Sequence, residues 1–110
     1  MPDEPVPPIA ARPNEWRIIT QLLRTRLPDY EVWAFGSRAH GRAKPYSDLD
    51  LAIVGDRPLS IDRLAELAEA FSESDLPWKV DLVDWSLSSP SFRARIAAEK
   101  VIIQQATQTE

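Results

Sequence analysis

The chain has 110 residues, enough for one domain and too few for two independent cores. Its 44% apolar content is that of a soluble globular protein, and no run approaches the ~18 apolar residues of a membrane-spanning helix. Cysteine is absent, histidine occurs once and the formal net charge is −4, which excludes disulfide frameworks, thiolate zinc sites, cysteine catalysis and broad attraction to nucleic-acid phosphates.

Five of the ten prolines fall within residues 1–13, where missing amide donors and fixed φ angles oppose regular pairing. Residues 1–12 are therefore expected to form an extended arm. It has neither the positive leader nor the apolar core of an export or mitochondrial signal, so a cytoplasmic protein with no membrane partner is expected. A helix follows from Pro13 to Pro28, with Trp16, Ile19, Leu23 and Leu27 on one apolar stripe. Glu31 to Phe35 reads as a buried strand that stops at Gly36, and residues 37–47 as a connection or a single helical turn. Leu49 to Val54 is the second strand. Ser60 can cap the next helix, whose inner face is expected at Ile61, Leu64, Leu67, Ala68 and Phe71. Lys79 to Trp85 is the third strand. Ser89-Pro90 opens a helix to about Glu99, Val101 to Ile103 adds a short edge strand, and residues 105–110 form a polar tail. Alternating strands and helices imply an α/β or α+β domain over residues 13–104, one sheet with helices packed on it.

Within this frame the chemistry concentrates between Val32 and Val54. Alternation along a strand puts Asp48 and Asp50 on one face and Leu49, Leu51 and Ile53 on the other. Two adjacent carboxylates repel unless a proton or a cation intervenes, and oxygen ligands at this spacing suit magnesium. Asp81 lies inside the apolar run of the third strand, where an ionised group needs a partner, and is a better third acid than Asp84 near the strand's end. Three carboxylates on neighbouring strands could hold two metal ions for in-line phosphoryl or nucleotidyl transfer. Gly36-Ser37 directly after a strand offers an anion cradle, to which Arg38, with Arg42 beyond it, adds forked donors. No Walker loop or dinucleotide fingerprint is present. Plainer readings stand beside these: a solvated strand end for Asp48 and Asp50, a strand stop for Gly36, surface charge for both arginines, an ion-paired acid at Asp81, an exposed loop position for His40, and packing for the four tryptophans.

Gly-Ser, ten residues and Asp-x-Asp, here Ser37 to Asp48 within AFGSRAHGRAKPYSDLDLAIV and followed by KVDLVDW, resembles the signature of the nucleotidyltransferase superfamily that includes DNA polymerase beta. The likeness is greatest to the minimal nucleotidyltransferases, the MntA-like proteins of bacteria and archaea, and spans about Trp16 to Ile103. The resemblance implies a mixed sheet of about four strands with helices mainly on one face. Asp48 and Asp50 would be magnesium ligands, and Asp81 the third acid, assisting the ions and activating the acceptor hydroxyl. Gly36, Ser37 and Arg38 would hold the β and γ phosphates of ATP while AMP is transferred. It also implies a protein partner, a HEPT-domain toxin modified on a tyrosine, with this chain as the antitoxin. Two other functions remain open, neutralisation of the toxin by binding alone and transfer to a small molecule such as an aminoglycoside. The small domain leaves little room for an acceptor-binding module, which favours an acceptor from another molecule.

Overall fold

The computed structural model describes residues 6–107, so the first five residues of the expected arm and the last three of the expected tail lie outside the described residues. In chain order the elements are α1 (Pro13–Arg26), β1 (Glu31–Phe35), β2 (Leu49–Val54), α2 (Ile61–Ser72), β3 (Val80–Asp84), α3 (Pro90–Glu99) and β4 (Val101–Gln104). Single 3₁₀ turns occupy Ser37–Ala39 and Trp85–Leu87.

Each helix begins where its first backbone donors find a partner. Pro13 opens α1, and the Arg12 amide donates to Glu15 Oε1 at 2.8 Å. Ser60 Oγ accepts from the Arg63 amide at the start of α2, and Ser89 Oγ from the Phe92 amide ahead of α3. The four strands form one mixed sheet in the order β3-β2-β1-β4, with β2 and β3 parallel and the other pairs antiparallel.

Alternation along the strands divides the apolar side chains between two layers. Val32, Ala34, Leu49, Leu51 and Ile53 pack against Ile19 and Leu23 of α1 and Leu67 and Phe71 of α2. The opposite face carries Trp33, Phe35 and Ala52 under Ile96 of α3, with edge-on ring pairs between Trp33 and Trp85 and between Phe35 and Phe92. The mixed sheet, with two of the three α-helices of the described residues on one face, is the architecture that the family resemblance implies.

Two expectations about packing need correction. Ile61 and Ala68 are exposed, because the buried stripe of α2 runs through Leu64, Leu67 and Phe71 and both residues sit round the helix to one side of it. The arm is not free along its length. Ile9 is buried in the main core, and the Ala10 amide donates to the Arg38 carbonyl at 2.8 Å. No helix among the described residues is long and apolar enough to cross a membrane.

Candidate active site

The end of the sheet where β1 finishes and β2 and β3 begin collects the residues singled out above. Asp50 is the register partner of Phe35 on one side and of Asp81 on the other. Because β2 and β3 are parallel and in register, the Asp50 and Asp81 side chains leave the same face, the one that carries Ala52 and α3. Asp48 precedes Asp50 by two residues, just ahead of the strand.

The three acids differ in environment. Asp50 is half-buried, whereas Asp48 and Asp81 are exposed. The reason given for Asp81 therefore changes: its strand lies at the sheet edge, so the carboxylate reaches solvent and needs no buried partner. Asp84 faces the other layer and is committed locally, accepting from the Leu59 amide at 2.9 Å and from the Ser86 amide and hydroxyl at 3.0 and 2.8 Å.

Burial pushes the Asp50 carboxyl above the usual carboxylate range, and the charges of Asp81 and Asp48 push it further; Arg95 partly opposes them and Glu99 reinforces them. Among the described residues, no three acidic or histidine side chains converge tightly enough to enclose a metal. The donor set nevertheless fits magnesium. Its oxygens are hard, two of its three carboxylates come from register partners, and the repulsion that adds to burial in raising the Asp50 pKa is what a divalent cation removes.

Gly36 is required twice over. Its φ of +79° favours glycine, and a Cβ at this position would collide with Asp50 Oδ2. The carboxylate therefore lies directly over the turn that begins at Ser37. The Ser37 carbonyl accepts from the His40 and Arg42 amides at 3.2 and 3.1 Å, which closes that turn.

Arg38 differs from its expected role as a phosphate contact. It is 5% exposed, and its guanidinium donates to the carbonyls of Ser47 and Ala10, both at 2.7 Å, and of Pro45 and Lys44 at 3.1 and 3.3 Å. It lies 4.1 Å above the Trp78 ring. Its charge is present, but its forked donors already face the backbone. A cavity of about 620 Å³ opens beside it, lined in part by Glu15, Lys44, Tyr46 and Trp78, and none of the three acids lines it.

Two residues of α3 escaped the sequence reading. Glu99 Oε1 accepts from the Gly36 amide at 3.2 Å, and Glu99 Oε2 lies 3.8 Å from Arg95 Nε. Their spacing of four puts them on one helix face. Nothing in the sequence aims that face at Gly36.

Comparison with known proteins bears on the fold and the family. Residues 19–108 match the family model described as polymerase beta, nucleotidyltransferase. A probable protein adenylyltransferase MntA from Haemophilus influenzae is 52% identical over 96 residues, covering 87% of this chain and 84% of that protein. A toxin–antitoxin crystal structure with AMP-PNP superposes with a TM-score of 0.70 at 29% identity, over 84% of this chain and 74% of its own. A complex of MNT antitoxin with tri-AMPylated HEPN toxin from Shewanella oneidensis gives a TM-score of 0.61 at 26% identity, over 84% of this chain and 70% of its own.

Proposed function

The chain belongs to the polymerase beta nucleotidyltransferase family, and from that membership we propose that it transfers AMP from ATP to a tyrosine hydroxyl of a cognate HEPN-type toxin, the HEPT partner, and so acts as its antitoxin. The observation that carries this reading is the register pairing of Asp50 with Asp81, with Asp48 two residues upstream and Gly36 packed under the Asp50 carboxylate. The solved relatives, one with AMP-PNP and one with an AMPylated toxin, support the substrate and the acceptor.

Asp48, Asp50 and Asp81 would hold magnesium, two ions in the full site. Bound there, magnesium would supply neutralisation of the phosphate charge and alignment of attacking and leaving oxygens. Gly36 and Ser37 orient the β and γ phosphates through the turn, and the Gly36 amide exchanges its Glu99 partner as the nucleotide enters. The tyrosine oxygen bonds to the α phosphorus, the bond to the β-phosphate oxygen breaks, and pyrophosphate leaves. Asp81, exposed at the sheet edge, receives the tyrosine proton. ATP as substrate supports a cytoplasmic setting.

The test is intact-mass analysis of the toxin after incubation with this protein, ATP and magnesium. Wild type adds one or more AMP units. Asp48→Asn and Asp50→Asn slow the addition roughly a hundredfold or more, the loss expected when a preorganised electrostatic contact is removed, with the circular dichroism unchanged. Full labelling by both variants would refute the assignment. Undiminished protection of cells by the double variant would show neutralisation by binding alone.

A further inference from the structure

Three chain segments deliver the candidate site: the turn at Ser37, the loop of residues 40–47 that ends beside Asp48, and the segment through Trp78 that leads into β3 and Asp81. Arg38 touches all three. Its own backbone belongs to the turn, its donors reach Lys44, Pro45 and Ser47 in the loop, and its guanidinium lies over the Trp78 ring. A fourth tie runs to the proline-rich segment in both directions, from Arg38 Nη1 to the Ala10 carbonyl and from the Ala10 amide to the Arg38 carbonyl.

Four of the five guanidinium donors thus face backbone carbonyls. These acceptors lie in the loop and in the segment before α1, outside any sheet ladder. Removal of the guanidinium would leave them without that partner and the loop without its anchor.

We propose that Arg38 is a positioning residue, a clamp that fixes the loop of residues 40–47 against Trp78 and Ala10 and thereby sets Asp48 relative to Ser37 and Asp81. Its importance for nucleotidyl transfer rests on the function proposed above; its action on the loop does not. Lysine keeps the charge but has neither the fork nor the flat face, so it cannot hold four carbonyls while lying on an indole. A clamp and a phosphate contact therefore respond differently to the same substitution.

The experiment is Arg38→Lys in the full chain, read by amide hydrogen exchange without nucleotide or partner, and by transfer kinetics. The clamp predicts exchange at least about tenfold faster at Arg42, Lys44 and Ser47, with the amides of β1 and α2 unchanged. It also predicts a kcat lower by roughly tenfold to a hundredfold, with KM for ATP held, because misplaced ligands impair the reacting geometry more than ground-state binding. Unaltered loop exchange overturns the proposal, and so does a retained kcat with a raised KM, which marks a direct phosphate contact. If wild type transfers no AMP, the functional reading fails while the exchange measurement still decides the clamp. If Arg38→Lys does not fold, Trp78→Leu removes the aromatic floor and carries the same exchange prediction; unchanged exchange there is equally fatal.

Discussion

Two aspartates show how differently this chain treats its acids. Asp29 has a forked partner, Arg63, whose nitrogens donate to both carboxylate oxygens at 2.7 and 3.0 Å, and that bonding holds its carboxyl below the usual range. Asp50 has no such partner among the described residues; burial, then Asp81, then Asp48 raise its proton affinity, an imbalance more typical of a functional acid than of a structural one. The stability consequence follows from the sign of the shift. A carboxyl with a raised folded pKa favours the folded state at low pH, and this contribution is lost as pH rises through that pKa. Above that pKa the ionised group therefore opposes folding. Asp50→Asn should raise the melting temperature of the metal-free protein at pH 7 by roughly a few degrees. The gain should shrink as acidification protonates the wild-type carboxyl. Millimolar magnesium should raise the melting temperature of wild type and leave the variant unmoved. Equal melting of the two proteins at pH 7 without metal would contradict this account.

The strand–turn–strand unit of β1, Gly36 and β2 ties these charges to the backbone. Gly36 and Gly41 both have positive φ, at +79° and +72°, so alanine strains either position; only at Gly36 does the added methyl meet Asp50, since nothing lies within 4 Å of a Cβ at Gly41. Gly36→Ala should destabilise by about 1–3 kcal/mol and reduce transfer about a hundredfold. Gly41→Ala carries the strain alone and should keep transfer within a few-fold of wild type. Thermal melts and single-turnover labelling of the pair separate backbone strain from displacement of the carboxylate. Much of this unit was legible in the sequence, because alternation placed Asp50 opposite Leu49 and Leu51. The exposure of Asp81 was not legible, since it depends on which strand ends the sheet. Arg38 was read from its charge, but its role lies in carbonyls contributed by residues 10 and 44–47, whose approach no local pattern encodes. The arrival of Glu99 at Gly36 depends likewise on how α3 docks, a tertiary outcome.

Taken together, the elements close over a segment that composition alone assigns to solvent. Proline denies residues 6–12 a ladder of hydrogen bonds, but burial of a side chain needs no ladder. Ile9 is 6% exposed within the cluster that includes Ile19, Leu23 and Trp78, whereas Val6, three residues earlier, is 90% exposed. The domain therefore begins before α1, at Ile9, the first side chain among the described residues to enter the core. Truncation of Ile9 removes buried methyl and methylene groups from a packed site, for which about 2 kcal/mol is expected, near the lower end for such substitutions because the residue lies at the margin of the core. In a domain of this size that loss lowers the melting temperature by roughly 8–15 °C. Val6→Ala should melt with wild type. If the whole segment were a free arm, both variants would be silent. A drop confined to Ile9→Ala shows that the segment completes the core, and it explains how Ala10 can serve Arg38 as a fixed anchor, since a carbonyl restrains a loop only when its own chain is held.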